Sequence, residues 1–102
     1  MTRDNGVQAM NEAEFRAVLD ARGCTRIGLV EWEPGRLSPE HAHEFTALGL
    51  VLEGGFTLRT PTGARVLRPG DTFELAAGIP HVEDVGDQGA RLLSGRLDPA
   101  PA

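Results

Sequence analysis

The sequence contains no lysine and no tyrosine, and these absences exclude several kinds of chemistry. Schiff-base catalysis, pyridoxal phosphate attachment and the lysine of a phosphate-binding loop all need an amine side chain. With a single cysteine, Cys24, the chain can form neither an intramolecular disulfide nor a zinc site built from several thiolates. It also lacks the GxGxxG and Walker sequences, so a nucleotide cofactor is not indicated.

Long apolar runs and clustered positive charge are missing as well. No apolar stretch approaches the ~18 residues of a membrane span, and residues 1–11 lack the basic start and apolar core of a secretory signal. We therefore expect a cytoplasmic protein with no membrane partner. The ten basic residues are scattered arginines against fifteen acidic residues, for a net charge of −5. Because binding a polyanion needs clustered positive charge, we expect no nucleic-acid partner.

The length and composition are those of one ordinary globular domain. The chain has 102 residues, of which 40% are hydrophobic and 25% charged, so it is neither a disordered tail nor a fibrous repeat. Residues 1–10 show no periodicity, and we expect them to be mobile. The single domain is then predicted to cover residues 11–102.

One segment, residues 11–22, has the pattern of a short helix. Asn11 can cap it, Glu14 lies at the capping-box position, and Gly23 ends it. Its apolar residues fall at i, i+3 and i+4 and form a single stripe: Phe15, Val18 and Leu19. Because so short a helix is marginal alone, this stripe is predicted to pack against the rest of the fold.

From residue 25 onward, the pattern changes to short β-rich runs separated by glycine and proline turns. This pattern predicts an all-β fold, an antiparallel sandwich or barrel, and eight runs suit a jelly roll. The predicted strands cover residues 26–33, 37–44, 46–53, 56–60, 64–68, 72–75, 81–86 and 90–97.

The three histidines of the chain are the residues that most suggest chemistry. His41 and His43 lie two positions apart in a predicted strand, so their side chains point to the same face about 6.6 Å apart. His81 follows a Gly-Ile-Pro turn that begins another predicted strand. Three neutral imidazoles suit a first-row divalent metal and leave coordination positions open. A His-x-His pair alone is a weak signal, since ordinary histidines also occur at this spacing.

The residues around the histidines resemble the two motifs of a small single-domain cupin of the RmlC-like, cupin type-2 kind. Residues 35–54, GRLSPEHAHEFTALGLVLEG, match the first motif except for its glutamate, whose place is taken by Ala47, or by Leu48 in a longer-spaced alignment. Residues 70–85, GDTFELAAGIPHVEDV, keep the glycines and the histidine of the second motif, with Ala76 for proline and Val85 for asparagine. The resemblance implies a double-stranded β-helix, the cupin jelly-roll barrel, with a metal inside its mouth.

The resemblance also implies a ligand set. His41, His43 and His81 fall on the three positions where cupins place histidine ligands, for one divalent ion such as Fe, Mn, Ni, Cu or Zn. Without the glutamate, the set resembles the all-histidine centres of some cupin dioxygenases more than the His–Glu centres of oxalate-degrading cupins. Strand alternation places Glu83 on the face of His81, but Glu44 on the face opposite the other two histidines. Glu83 is therefore the candidate base or replacement ligand, and the alternative is a solvated carboxylate at the barrel mouth.

The same alternation predicts the lining of a small apolar pocket. Its members are Phe45, Ala47, Gly49, Val51 and Val85. Ala47 and Gly49 leave room beside the metal, so we expect a small organic ligand or substrate to bind there.

The opposite face of the same strand carries an apolar row that must be covered. The row consists of Thr46, Leu48, Leu50 and Leu52. Either the helix at residues 11–22 packs on this row or two subunits pair across it. We favour a homodimer, because cupins of this size are often dimers.

Two functional hypotheses follow from the resemblance. The first is a dioxygenase-type oxidoreductase that acts on a small chelating organic substrate. The alternative is a non-enzymatic cupin that binds a metal or small ligand as a sensor or storage module. A metal-free, isomerase-type jelly roll is disfavoured, because that chemistry pairs histidine with the tyrosine or lysine that this chain lacks.

Overall fold

The computed structural model describes residues 9–99, which form one helix and a five-stranded antiparallel sheet. The elements are α1 Glu12–Ala21, β1 Thr25–Trp32, β2 Thr46–Thr60, β3 Gly63–Leu67, β4 Thr72–Leu75 and β5 Val82–Leu97. The strand order is β1-β5-β2-β3, and β4 pairs with β2. The predicted all-β fold with one N-terminal helix is confirmed. Of the segment predicted to be mobile, residues 1–8 lie outside the described residues, while the N–H of Met10 donates to Gly70 O at 3.1 Å.

Helix α1 begins as its sequence predicts. The Asn11 side chain accepts a hydrogen bond from the Glu14 N–H at 2.8 Å, and the Glu14 carboxylate accepts one from the Asn11 N–H at 2.9 Å. This reciprocal capping box satisfies two amides that the helix leaves without partners. The helix ends at Ala21 with Arg22 as its C-cap, and Gly23 follows with a φ of 75°, the left-handed conformation that glycine adopts without strain.

The two long strands, β2 and β5, correct the predicted count of eight strands. Each joins two runs that were predicted to be separate, so the turns expected at residues 54–55 and 87–89 do not reverse the chain. Gly54 and Gly89 have φ values of 69° and 71°, and a Cβ atom on Gly54 would overlap the carbonyl oxygen of Gly89. The pairing of β2 with β5 shifts register on both sides of Gly54. These glycines therefore mark bulges, where long strands bend, and not hairpin turns.

The strand predicted at residues 37–44 is wrong. This stretch makes only two isolated bridges, Leu37 with Asp84 and His41 with His81. Leu37 and His41 are four positions apart, but their partners Asp84 and His81 are only three positions apart, so the two bridges are out of register. Pro39, which lies between them, has no N–H to donate to a ladder. The stretch is an irregular segment pinned to β5 at two points.

The β2–β5 sheet has two different faces. One face packs against α1, and its buried cluster consists of Phe15, Leu19, Leu48, Leu50 and Leu93. The other face holds a second buried cluster, Val51, Phe56, Leu58, Leu67, Leu75, Val85, Ala90 and Leu92. Helix α1 thus covers the apolar row of β2, which is the first of the two alternatives considered above. No helix among residues 9–99 is long and apolar enough to cross a bilayer.

Candidate metal centre

The three histidines and Glu83 converge at one end of the second face. One nitrogen or oxygen from each of the four side chains lies within 4.8 Å of all the others. His41 and His43 come from the segment between β1 and β2, whereas His81 directly precedes β5 and Glu83 is the second residue of that strand. The backbone ties the two segments together, because His41 and His81 exchange N–H to carbonyl hydrogen bonds of 3.0 and 2.8 Å. The N–H of Gly78 also donates to His43 O at 2.8 Å.

Two of the imidazoles are held by backbone carbonyl groups two positions earlier in the chain. Nδ1 of His41 lies 2.8 Å from Pro39 O, and Nδ1 of His81 lies 3.0 Å from Ile79 O. A carbonyl oxygen only accepts hydrogen bonds, so each Nδ1 carries the proton and donates it. In the neutral ring, Nε2 then has its lone pair free for a metal, an arrangement often seen in metal-binding histidines.

Glu83 faces these two lone pairs. Its Oε2 lies 3.2 Å from Nε2 of His81 and 3.5 Å from Nε2 of His41. Its other oxygen, Oε1, accepts a hydrogen bond from Arg36 at 3.1 Å, and its backbone N–H donates to Ser38 Oγ at 2.8 Å. Glu83 is only 7% exposed, so it is not a solvated carboxylate at the mouth.

The donor set fits a divalent metal ion. A carboxylate oxygen opposite two imidazole lone pairs is repulsive unless a metal ion or a proton on one Nε2 lies between them, and the buried position of His81, 1% exposed, makes that repulsion costly. Bonds of about 2.0–2.2 Å to nitrogen or oxygen place ligand atoms on opposite sides of a metal about 4.2 Å apart. Distances within 4.8 Å thus suit a single ion with little rearrangement. Imidazole with carboxylate suits the first-row divalent metals in general.

The electrostatics of His43 favour the same state. Burial lowers the pKa of His43, and the neighbouring His81, His41 and Arg96 lower that pKa further, while Glu83 acts in the opposite direction. A lowered pKa keeps the imidazole neutral and able to donate its lone pair.

A cavity of about 170 Å³ opens beside the four side chains. His43, His81 and Glu83 form its polar end. The remainder is mostly apolar, with an aromatic cluster in which Phe56 makes edge-to-face contacts with Trp32 and Phe73 at centroid distances of 5.1 and 5.7 Å. The cavity therefore combines convergent polar groups with an apolar wall, as small-molecule sites do.

The predicted pocket residues divide into two groups. Phe45 and Ala47 line the cavity, whereas Gly49, Val51 and Val85 do not. The room expected beside Gly49 is filled, because the Phe73 ring from β4 lies where a Cβ atom of Gly49 would be. Val51 and Val85 are buried in the apolar cluster of the same face.

Sequence reasoning missed several residues that line the cavity, among them Trp32, Phe73, Ser94 and Arg96. The first two come from strands that are distant in sequence, and no local pattern indicates that they meet. Ser94 and Arg96 could have been found, since they share an alternation with the buried Leu92 on β5.

The cupin domain family matches residues 28–95, which is more than half of the chain and includes all four side chains of the site. The chain belongs to the cupin family. No curated protein matches this cupin significantly. The predicted resemblance is thus confirmed at the level of the family and the fold.

Solved structures similar to this cupin support the same fold. A protein of unknown function from Rhizobium leguminosarum is 19% identical over 72% of this chain and 69% of its own, with a TM-score of 0.68. An RmlC-like cupin from Shewanella frigidimarina is 22% identical over 70% and 63%, with a TM-score of 0.61. The protein TT1209 from Thermus thermophilus is 28% identical over 69% of both chains, also with a TM-score of 0.61. The matched part thus spans about two thirds of each of these proteins.

Proposed function

We propose that this cupin binds one divalent metal ion through His41, His43, His81 and Glu83 and acts as a dioxygenase-type oxidoreductase on a small chelating organic substrate. The observation that supports the metal site is the convergence of four donor atoms within 4.8 Å, with the Nε2 atoms of two histidines facing one carboxylate oxygen.

The cupin motif has a glutamate at the position of Ala47 in this chain, and Glu83 supplies the missing carboxylate from another strand. Arg36 holds one oxygen of Glu83 at 3.1 Å and leaves the other directed at the histidines. Arg36 is itself placed over the Trp32 ring, 4.8 Å from its centroid, so its position is defined by packing as well as by charge. Residues that orient a ligand in this way commonly contribute 10–100-fold, as an order of magnitude, to metal affinity.

When bound, the metal supplies a Lewis acid and, as iron(II), a means of using dioxygen. The chain supplies the rest of the site: three neutral imidazoles, one carboxylate and an apolar wall that limits the access of water. In a dioxygenase reaction, both oxygen atoms enter the product and the substrate provides all the electrons. No further reductant is then required.

Elemental analysis of the untagged protein, before and after reconstitution, tests the metal site. We expect about one metal ion per chain in the wild type and a large loss in His43→Ala. Glu83→Gln keeps the shape of the side chain and removes its charge, so we expect metal affinity to fall by at least as much as the about 10–100-fold that loss of a residue orienting a ligand costs. Glu44→Gln is the matched control, because Glu44 is exposed and lies outside the cluster; it should bind metal as the wild type does.

The outcomes of this experiment are distinct. If Glu83→Gln binds metal like the wild type while His43→Ala does not, the three histidines form the ligand set without the carboxylate. If the wild type binds none of Fe, Mn, Ni, Cu or Zn, the proposed function is wrong.

The reaction is tested with the iron(II) form. We expect oxygen uptake with one or more members of a panel of diketones, hydroxy acids and catechols, and no uptake with iron(II)-treated His43→Ala. Ligand binding without oxygen uptake across the panel would favour the alternative, a non-enzymatic metal- or ligand-binding cupin.

The homodimer stays a prediction that rests on the frequency of dimers among cupins of this size, because α1 covers the apolar row of β2 and a second subunit is not needed to bury it. The exposed Leu29 on β1 and Val66 on β3 lie on strands at the two ends of the sheet order. Light scattering on the purified protein decides between the mass of one chain and that of two.

A further inference from the structure

Arg96 is a cavity residue whose position is fixed by stacking. It lies on β5 two positions beyond Ser94, so both side chains are on the face that lines the cavity. The guanidinium carbon lies 4.1 Å from the centroid of the Phe45 ring. That ring in turn stacks on His43, with 4.5 Å between centroids and 19° between planes. A guanidinium, a phenyl ring and a candidate metal ligand are therefore consecutive members of one stack.

The charge of Arg96 has no carboxylate partner among residues 9–99. The carboxylates that come nearest to it in the chain or the cavity are otherwise engaged, since Asp98 accepts from Thr25 and Glu83 from Arg36. Five other described arginines form ion pairs: Arg16 with Glu12, Arg22 with Glu74, Arg36 with Glu83, Arg59 with Asp84, and Arg91 with Glu31 and Glu53. Within the described part of the chain, Arg26, Arg65 and Arg68 form none either, but they do not line the cavity.

The cavity wall offers few other polar groups to a ligand, so Arg96 is a main candidate for binding a polar group of the ligand. Apart from the cluster of histidines and Glu83, the polar side chains that line the cavity are Ser94 and Arg96. Arg96 is itself exposed at the mouth of the cavity, and its planar guanidinium donors suit the two oxygens of a carboxylate or similar oxyanion at once. Stacking on Phe45 restricts the side chain in advance, which lowers the entropy lost on binding.

We infer that Arg96 binds a carboxylate or similar planar oxyanion of the molecule that enters the cavity. The ligands of this cupin are then small organic acids that carry a second donor group directed at the metal. This inference rests on the proposed function for its metal-directed half, but the role of Arg96 can be measured without a metal.

The size of the cavity limits these acids. A dry cavity of about 150 Å³ holds a single benzene ring. At about 170 Å³, the cavity of this protein accepts one aromatic ring or a short chain, with its acidic group at the partly exposed mouth beside Arg96. A whole nucleotide or oligosaccharide does not fit inside this volume.

A matched pair of probes tests the inference by calorimetry. With zinc-loaded protein, 3,4-dihydroxybenzoate and 3,4-dihydroxybenzamide offer the same chelating end, but only the first carries a carboxylate. We expect the wild type to prefer the acid by about tenfold or more, as a charge-assisted bond allows. In Arg96→Gln the preference should disappear while the affinity for the amide and the metal content stay unchanged. Arg96→Lys, which keeps the charge but not the planar fork, should retain part of the preference.

Arg91→Gln is the control, because Arg91 lies on the same strand but is paired with two glutamates outside the cavity. It should prefer the acid as the wild type does. Equal binding of acid and amide by the wild type, or a preference that survives in Arg96→Gln, overturns the inference.

The metal-free protein separates this inference from the proposed function. Here benzoate and benzamide are the probes, since neither needs a metal. If the protein binds no metal but prefers benzoate in an Arg96-dependent manner, the metal site fails and the oxyanion site stands. The other outcome is that the protein binds metal but prefers neither benzoate over benzamide nor, when loaded with zinc, 3,4-dihydroxybenzoate over 3,4-dihydroxybenzamide. The metal site then stands and the oxyanion site fails.

Discussion

The two faces of the β2–β5 sheet are built from alternate residues of the same strands, yet one is covered by α1 and the other ends in a cavity lined partly by polar side chains. On the helix-covered face, Leu19, Leu50 and Leu93 are completely buried. On the opposite face, the strands end in a cavity with half-buried His43 and exposed Arg96 at its mouth. The helix-covered face is packed with apolar side chains, whereas the other face combines a buried apolar cluster with a cavity that has polar groups at one end. The candidate site thus lies on one side of the sheet, while both sides contribute to the core.

The alternation along β2 shows how this is achieved in sequence. Leu48 and Leu50 point to the helix, while Ala47 and Gly49 point to the other face. Large residues fill one side and small ones leave room for Phe73 and the cavity on the other. Substitutions on the two sides should therefore affect different measurements.

The largest effect on stability is expected from Leu19→Ala on the helix-covered face. Removing a fully buried leucine leaves a cavity among tightly packed neighbours, so the free energy of unfolding should fall by about 2–5 kcal/mol. Urea unfolding measures this loss, and elemental analysis of the folded fraction should still find the wild-type metal content. Leu37→Ala is the control, because Leu37 is 66% exposed and should cost less than about 0.5 kcal/mol. Loss of metal from the folded fraction of Leu19→Ala would show that the two faces are not independent.

A smaller cost in stability, with a larger effect on binding, is expected from Gly49→Ala. The new methyl group would overlap the Phe73 ring, which must then move. Overpacking of this kind costs about 1–3 kcal/mol. Because Phe73 lines the cavity, its displacement should weaken the binding of 3,4-dihydroxybenzamide to the zinc-loaded protein more than it weakens metal binding.

Gly28→Ala serves as the comparison for that substitution, since nothing lies within 4 Å of the position of its Cβ atom. It should leave ligand affinity unchanged. Unchanged ligand affinity in Gly49→Ala as well would mean that the Phe73 ring does not shape the binding space.

The smallest effect is expected at the exposed border between α1 and β4. Arg22 donates two hydrogen bonds of 3.0 Å to Glu74, and this hydrogen bonding, more than the charge of Arg22, lowers the pKa of Glu74 against a weaker opposing effect of burial. A carboxyl group whose pKa is lower in the folded state stabilises the fold above its unfolded pKa, near 4.5, and loses this contribution as pH falls through the folded pKa.

Arg22→Gln should therefore lower stability slightly at pH 7, and the difference from the wild type should shrink as pH falls below 4.5. High salt should shrink it as well. Urea unfolding at several pH values measures both trends. Arg16→Gln is the control, because its pair with Glu12 lies within the helix and does not join it to the sheet. A difference between Arg22→Gln and the wild type that grows on acidification contradicts this account.

Local signals predict the parts of this protein that local interactions determine. The capping box of α1 depends on residues three positions apart, and the placement of Glu83 beside His81 follows from simple strand alternation. The prediction that Gly54 and Gly89 lie in turns is wrong. Glycine permits both turns and bulges, and only the pairing with the partner strand decides between them.

The parts that the sequence does not reveal depend on distant strands. Phe73 lies against Gly49 only because β4 pairs with β2, and Trp32 reaches the cavity from the edge strand β1. The irregular path of residues 37–44 depends on Pro39 and on a register set by β5. No periodicity within a single segment encodes these relations.

The placement of the four donor atoms on two separate segments has a mechanical consequence. His43 and His81 are joined by a stretch of about 40 residues, and the first of the two segments is tied to β5 by only a few hydrogen bonds. An ion bound by both segments would act as a cross-link that closes this loop, in a chain whose single cysteine allows no internal disulfide. Loading the site should then slow amide hydrogen exchange at His41 and in the rest of that irregular segment, even where no ligand touches it.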